Sequence, residues 1–309
     1  MKKPHKNIKT VAIIGLGSLG IMYAHHLSKY MPKEDLRIIA DARRINKYMV
    51  DHIYCNGDLC DFNYLLPEES TPVDLLIFTV KFNELPSAIK VAKKQVGTNT
   101  IIMSLLNGIV SEEVIGKSFG MDNILYSVAQ GMDPIKINNK LTYNNMGLIC
   151  FGGHNPNIVD KKAEIVSHFF DQTNLPHEVV SDMRKKLWGK FMLNVGVNQA
   201  VAVFECDYGG VVKEGLARDT MISAMKEVIV LSEKENVNLN QTDLEYWLKV
   251  IEGISPSGKP SLRQDLEAKR RSEVELFAGT VLDLSKKHNI FSPTNQMLYD
   301  KIIAIESRF

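Results

Sequence analysis

The chain has 309 residues, of which 45% are hydrophobic and 24% are charged, and its formal net charge is +1 at neutral pH. This composition is typical of a soluble globular protein with room for two domains. A net charge so close to zero gives no electrostatic reason to expect nucleic acid or an anionic membrane as a partner. The four cysteines are not spaced with histidines as metal ligands, so the sequence predicts neither a metal site nor a disulfide framework.

Lysines at the N-terminus precede an apolar stretch, as they do in a secretory signal peptide. They are Lys2, Lys3, Lys6 and Lys9. The apolar stretch is interrupted by glycines, no small-residue cleavage site follows, and no apolar run approaches the roughly 18 residues of a membrane span. We therefore predict a cytoplasmic protein with reduced thiols.

The first motif is a glycine triplet, Gly-x-Gly-x-x-Gly, directly after the apolar run 11–14. The segment consists of Gly15, Leu16, Gly17, Ser18, Leu19 and Gly20. The first glycine permits a tight turn, the second lets the backbone approach a pyrophosphate, and the third lets the next helix pack closely on the sheet. With a helix predicted over 18–30 and a strand over 36–41, the motif predicts a dinucleotide site at a helix N-terminus. A tight turn without a ligand is the alternative.

The end of the second strand gives conflicting signals about the cofactor. Asp41 lies where a carboxylate accepts hydrogen bonds from the ribose hydroxyls of NAD. Arg43 and Arg44 follow at once, and guanidinium groups bind the 2′-phosphate of NADP. Either Asp41 turns aside while the arginines bind, or the arginines form a solvated basic corner in a loop.

Strands and helices alternate up to residue 181. Strands are predicted over 73–80, 100–106, 123–129, 141–151 and 177–181, helices over 83–96, 111–119 and 157–172, and a hairpin turn at Asn56-Gly57. From residue 182 only helical periodicity remains, over 182–205, 209–236, 241–252, 261–289 and 294–306. The sequence thus predicts a dinucleotide-binding domain over 1–181 with a doubly wound α/β sheet, and an all-helical domain over 182–309.

Three polar residues follow one another at four-residue steps in the first of these helices. Lys190, Asn194 and Asn198 share one helix face, although asparagine is a poor residue for a helix interior. They either line a polar groove or form a hydrogen-bond ladder between helices, with the lysine extending to solvent.

Further candidates lie at strand ends and near the C-terminus. Lys81 and Asn107 close two strands at the edge where α/β sheets bind ligands, unless they are a loop cation and a turn residue. Ser261 is a candidate site residue near the C-terminus. The alternative is that it is a helix N-cap, with Gln264 as its capping-box partner. Glu273 is a second candidate in this region. The alternative is that it forms a surface i,i+4 pair with Lys269.

The chain resembles the ketopantoate reductases over nearly its whole length. The resemblance rests on four features in this order: the glycine motif, the strand-terminal lysine and asparagine, the Lys-x-x-x-Asn-x-x-x-Asn helix and the Ser-x-x-Gln-Asp…Glu segment. The resemblance implies a Rossmann domain followed by a helical domain of the 6-phosphogluconate dehydrogenase C-terminal type, with the substrate in the cleft between them. It also implies the NADPH-dependent reduction of 2-dehydropantoate to pantoate, a step in pantothenate biosynthesis.

The resemblance assigns roles by position. Lys190 corresponds to the catalytic lysine and Glu273 to the substrate-site glutamate, while Asn107, Asn194, Asn198 and Ser261 correspond to substrate-contacting residues. The glycine segment, Lys81 and Asn107 correspond to cofactor contacts, and Arg43 to the arginine that meets the 2′-phosphate, which favours NADP over NAD. A homodimer is a further implication.

Two departures from the family pattern leave alternatives open. Asp41 is unusual for an NADP-preferring member, and Asp207-Tyr208 stands near the place of a further asparagine that some members use. The alternatives are a reductase of another branched 2-keto acid, a related hydroxyacid dehydrogenase, and a non-catalytic redox sensor that binds the dinucleotide.

Overall fold

The structure, a computed structural model, describes residues 7–156, 158 and 160–309. Two parts of the sequence analysis lie outside the described residues. They are the N-terminal lysines Lys2, Lys3 and Lys6, and Asn157, where a helix is predicted to begin. The strands are β1 (Val11–Ile14), β2 (Leu36–Ile39), β3 (Tyr54–Cys55), β4 (Asp58–Leu59), β5 (Asn63–Leu65), β6 (Leu75–Phe78), β7 (Ile101–Ser104), β8 (Ile124–Gln130), β9 (Ile135–Ile137), β10 (Lys140–Thr142), β11 (Leu148–Gly152) and β12 (His177–Val179).

Helices alternate with these strands and then continue alone. The α-helices are α1 (Ser18–Leu27), α2 (Ala42–Asp51), α3 (Leu85–Ala92), α4 (Ser111–Phe119), α5 (Lys161–Gln172), α6 (Met183–Val203), α7 (Tyr208–Val212), α8 (Leu216–Lys234), α9 (Gln241–Glu252), α10 (Ser261–Glu267), α11 (Thr280–His288) and α12 (Pro293–Glu306). A 3₁₀ turn over Phe82–Glu84 precedes α3, and a π-helical turn over Glu275–Gly279 precedes α11.

The described chain divides into two compact units. The first runs to Leu106 and resumes over Val110–Met183, and the second consists of Asn107–Ile109 and Arg184–Phe309. The sequence places Asn107 in the first domain, whereas its contacts group it with the helices. None of the described helices combines the length and the apolar composition that crossing a bilayer requires.

The first unit is built on one large sheet with the order β12-β11-β8-β7-β6-β1-β2-β5. β1 pairs in parallel with both β2 and β6, so the chain moves outward from β1 in two directions. This confirms the predicted Rossmann-type doubly wound sheet. Val11, Ala12 and Ile13 are fully buried, as expected for a central strand covered on both faces. The strand order reverses beside β1, which is where such sheets bind ligands.

A smaller sheet has the order β4-β3-β10-β9. Its β3–β4 hairpin turns at Asn56 and Gly57, whose φ values of 50° and 91° suit a two-residue turn of this kind. The hairpin turn predicted at this dipeptide is therefore confirmed.

The single strand predicted over 141–151 is wrong. The segment instead contributes β10 to the small sheet and β11 to the large one. Between them the amides of Asn144 and Asn145 donate to Asp133 Oδ1, and Gly147 takes a φ of 61°, so the backbone turns there.

The second unit is all helical, as predicted, but two of the predicted helices are interrupted. The helix expected over 209–236 breaks between α7 and α8, where Lys213 is extended and Gly215 has a φ of 143°. The helix expected over 261–289 ends early because Lys269 adopts a φ of 51° and the amide of Arg270 donates to the carbonyl of Asp265. That bond pattern is a helix C-terminal motif.

Candidate functional site

The glycine turn between β1 and α1 is shaped by the end of β6. Gly15 has a φ of 103°, and a Cβ there would lie 2.9 Å from the Thr79 carbonyl oxygen. A Cβ on Gly20 would lie 1.9 Å from the Gly15 carbonyl oxygen, so the third position of α1 accepts only a glycine. The Thr79 hydroxyl donates to the carbonyl oxygens of Gly15 and Ile14 at 2.7 and 3.2 Å, which fixes the turn to the neighbouring strand.

Gly17 differs from the other two glycines because the fold does not require it. Its φ is −74°, and a Cβ there would make only an ordinary contact, 3.6 Å from the Thr79 carbonyl oxygen. Gly17 precedes α1 without a side-chain cap, and the first turn of α1, with Ser18 and Leu19, holds no acidic residue. The unpaired amides and the helix dipole of such a terminus favour an anion.

The residues after β2 form the start of a helix, not a loop. Asp41 is the N-cap of α2, and its Oδ1 accepts a hydrogen bond from the Arg44 amide at 2.9 Å. The Arg44 guanidinium pairs with Glu84 at 2.9 Å. Arg43 is exposed and has no hydrogen-bond or ion-pair partner among the described residues. The two arginines therefore lie on a helix and not in a loop, and they have different surroundings, since Arg44 is paired and Arg43 is exposed.

Lys81 and Asn107 follow the neighbouring strands β6 and β7. Lys81 is exposed and precedes the 3₁₀ turn, where its carbonyl accepts the Glu84 amide. Asn107 is half-buried and is followed by Gly108, which has a φ of 90°. A Cβ on Gly108 would lie 2.7 Å from Leu276 Cδ1, so the backbone beside Asn107 packs directly on that leucine.

Lys190 and Asn107 meet within the second unit. The Lys190 ammonium group donates to Asn107 Oδ1 at 3.2 Å, and both residues are half-buried. The lysine therefore does not simply extend into solvent. This bond joins α6 to Asn107, in the segment after β7, and it holds a cation beside an amide.

The two asparagines of α6 continue this polar row. Asn198 is 5% exposed, and its amide donates to Asn194 Oδ1 at 3.3 Å. Its own Oδ1 lies 3.4 Å from both the Ser261 hydroxyl and the Leu262 amide, so it connects α6 to the start of α10. The structure thus brings Asn194, Asn198 and Ser261 together, in part as the predicted ladder between helices.

The alternative of a capping box at Ser261 is wrong. Pro260 is the N-cap of α10, and Ser261 is the first residue of the helix, with its hydroxyl directed to Asn198. Gln264 donates to the Lys259 carbonyl oxygen at 2.8 Å and does not pair with the serine. The serine is therefore available to a polar ligand through its exposed side.

Glu273 lies just before the π-helical turn. Its carbonyl oxygen accepts the amides of Leu276 and Phe277, and the residue is half-buried. The alternative of an i,i+4 pair with Lys269 is wrong, because the left-handed backbone at Lys269 ends α10 before Glu273 is reached. At the other departure from the family pattern, Asp207 caps α7 by accepting the Gly210 amide at 3.1 Å.

A buried carboxyl group lies near the end of β7 in the first unit. Glu112 is 1% exposed, Ser111 donates to it at 2.9 Å, and Ser104 donates to Ser111 at 2.8 Å. Burial raises the pKa of Glu112 to about 7, although hydrogen bonds from Ser111 and from the backbone oppose the shift. No sequence signal marks this group, because Glu112 stands beside Glu113 in the acidic first turn of an ordinary predicted helix.

Sequence reasoning also passed over Thr79, Glu84 and Lys136. Thr79 fixes the glycine turn and Glu84 holds Arg44. Lys136 donates to the Leu16 carbonyl oxygen at 3.2 Å from strand β9, which the sequence did not predict. Only Thr79 carried a signal, since it lies near the end of the buried strand predicted over 73–80.

Comparison with known proteins places these features in a family. Residues 11–134 match the family described as ketopantoate reductase PanE/ApbA, and residues 182–306 match its C-terminal domain. The 2-dehydropantoate 2-reductase of Aquifex aeolicus is 23% identical over 300 residues, covering 95% of this chain and 96% of that protein.

Solved structures agree over almost the full length. The PanE/ApbA family ketopantoate reductase from Ralstonia eutropha JMP134 has a TM-score of 0.80 and 21% identity, and it covers 97% of this chain and 99% of its own. D-mandelate dehydrogenase, solved with NADH and anilino(oxo)acetate, has a TM-score of 0.84 at 18% identity, with the same coverage. At these identities the structures establish the fold alone, but the two family matches span most of the chain, which therefore belongs to the ketopantoate reductase family of oxidoreductases.

Proposed function

We propose that this protein reduces 2-dehydropantoate to pantoate with NADPH, as a step in pantothenate biosynthesis. The observation that carries the proposal is the hydrogen bond between the Lys190 ammonium group and Asn107, which holds a proton donor on a polar row of the helical unit. A redox sensor that only binds the dinucleotide has no need of this arrangement.

The glycine turn supports dinucleotide binding. Gly15 and Gly20 are required by the fold, but Gly17 is not, and a ligand whose phosphates approach the backbone accounts for it. The bound cofactor supplies a hydride. Lys81, after the neighbouring strand, and Asn107 are the side chains that we assign to the nicotinamide end.

Arg43 supports NADPH as the cofactor. Its guanidinium group is exposed and has no partner among the described residues, whereas Arg44 is held by Glu84. Asp41 Oδ1 caps α2 by accepting the Arg44 amide, and Asp41 Oδ2 lies 3.8 Å from Arg44 Nε, so the carboxylate is partly compensated within the protein. Arg43 is thus the guanidinium group that we assign to the 2′-phosphate.

The chemistry assigned to Lys190 follows from charge. Hydride addition to the carbonyl carbon of a 2-keto acid places negative charge on the carbonyl oxygen. A lysine ammonium group stabilises this charge and transfers a proton to the oxygen, which leaves a neutral amine that solvent reprotonates. Asn107 keeps the ammonium group in place, so less orientational freedom is lost in the reaction.

The remaining polar residues of the second unit are assigned to the substrate. Asn194 and Ser261 flank the buried Asn198 and present neutral donors and acceptors to hydroxyl and carboxylate groups. Glu273 supplies the carboxylate that holds a substrate hydroxyl. This combination suits a hydroxylated 2-keto acid better than a purely apolar one.

The test is a turnover measurement of the purified protein with NADPH and with NADH. The substrates are 2-dehydropantoate, phenylglyoxylate and an unbranched 2-keto acid. Turnover is measured as the loss of reduced nicotinamide. We expect the highest kcat/KM with 2-dehydropantoate and NADPH. A preference for phenylglyoxylate, or for NADH, would identify a different 2-hydroxy acid dehydrogenase, and tight nucleotide binding without turnover of any keto acid would favour the sensor. A homodimer and a cytoplasmic location remain predictions.

A further inference from the structure

A lysine from the small sheet reaches the glycine turn. Lys136 lies in the middle of β9, which pairs with β10 in an antiparallel hairpin that joins β3. Its ammonium group donates to the Leu16 carbonyl oxygen at 3.2 Å, between the first two glycines of the motif. The hairpin therefore brings a positive charge to the turn that we assign to phosphate binding.

The charge of a second lysine, Lys47, acts on Lys136. The pKa of Lys136 is lowered because its ammonium end is partly withdrawn from water and because the charge of Lys47 is close. Neither lysine has a carboxylate partner among the described residues. Two ammonium groups so arranged repel each other, and an anion bound beside them removes the penalty.

Lys47 lies on α2, the helix that follows β2. It lies four residues after Arg43 on α2, so both side chains share one face of that helix. Arg43 and Lys47 therefore both place positive charge on one face of α2, and the charge of Lys47 acts on Lys136.

We propose that Lys136 is a cofactor-binding residue that contacts the pyrophosphate of the dinucleotide and completes the glycine turn with a side-chain charge. This inference rests on the proposed function. The contact is a charge-assisted hydrogen bond to a phosphate oxygen, which is stronger than the bond to the neutral Leu16 carbonyl that the amine makes here. Because the pyrophosphate is common to both nicotinamides, Lys136 contributes equally to the binding of NADH and NADPH.

The test uses Lys136→Gln, which keeps a donor for the Leu16 carbonyl oxygen but removes the charge. We expect the Kd values of NADH and NADPH to rise by the same factor, about tenfold. The Tm of the protein without nucleotide should stay the same or rise, since repulsion from Lys47 is relieved. Lys136→Arg should retain most of the affinity. Lys140→Gln, in the same hairpin but beside the Tyr54 ring, serves as the matched control.

Two outcomes would overturn the inference. Wild-type affinity of Lys136→Gln for both nicotinamides would show that the amine only ties the hairpin to the turn, and a loss confined to NADPH would assign it to the 2′-phosphate. If the wild-type protein binds neither nicotinamide, the proposed function itself fails. If the wild-type protein binds them and Lys136→Gln does so equally well, only the role of Lys136 fails.

Discussion

The Lys190 ammonium group and Asn107 Oδ1 lie 3.2 Å apart although 83 positions separate the two residues in the chain. If this lysine is the proton donor, Lys190→Ala should lower kcat by about two to four orders of magnitude, with the Kd of NADPH nearly unchanged. Steady-state kinetics and nucleotide titration measure the two effects separately. The exposed Lys226→Ala variant is the control for loss of a helical lysine in the same unit.

The same bond predicts coupling between the two side chains. Asn107→Ala should lower kcat in the wild-type background, but much less in the Lys190→Ala background, since its orienting role is then lost. Fully additive losses in this double-mutant cycle would mean that the two residues act independently. Turnover by Lys190→Ala at close to the wild-type rate would remove the basis of the proposed mechanism.

Arg43 is expected to distinguish the two nicotinamides. Arg43→Ala should weaken NADPH binding by about tenfold or more, in line with the loss of a charged hydrogen bond to phosphate, and should hardly change NADH binding. Arg44→Ala is the matched control, because its guanidinium group is already paired with Glu84. Equal weakening of both cofactors, or a wild-type preference for NADH, would assign this position to Asp41 instead.

The three glycines of the turn should respond differently to alanine. Gly20→Ala places a Cβ against the Gly15 carbonyl oxygen and should lower the Tm strongly. Gly17→Ala meets no obstacle within the protein, so its Tm should stay close to that of the wild type, while its affinity for dinucleotides falls about tenfold or more. Thermal unfolding with and without nucleotide checks both. A stable Gly17→Ala variant with undiminished affinity would mean that no phosphate approaches this backbone.

Glu112 should make the stability of the protein depend on pH. Because its pKa is raised from 4.5 to about 7 on folding, the folded state holds the proton more tightly than the unfolded chain. Its contribution to the free energy of unfolding is therefore favourable at low pH and is lost as the pH rises to about 7, a difference of about 3 kcal/mol. Urea unfolding between about pH 5 and about pH 8 should show this slope in the wild type and a flatter one in Glu112→Gln. The exposed neighbour variant Glu113→Gln should keep the slope, and identical slopes in all three proteins would contradict the assignment.

The local sequence was sufficient for features that depend on neighbouring residues. The glycine spacing, the buried run of β1 and the hairpin at Asn56-Gly57 each express a backbone preference or a burial pattern within a few residues. The change from alternating strands and helices to helices alone was equally visible, because periodicity is a property of the chain itself. The helix breaks at Gly215 and Lys269 were not visible in the sequence, since a residue with a positive φ inside a helical pattern has no distinctive periodicity.

The tertiary structure decided which side chains meet. Spacing placed Lys190, Asn194 and Asn198 on one face, but only the folded chain pairs the lysine with Asn107 and the second asparagine with Ser261. Only the folded chain buries Glu112 while leaving its neighbour Glu113 exposed. It also brings Lys136, from a strand that was not predicted, to the carbonyl of Leu16. Backbone conformation is set largely by nearby residues, whereas contacts across tens of residues and the desolvation that shifts a pKa exist only once distant segments pack together.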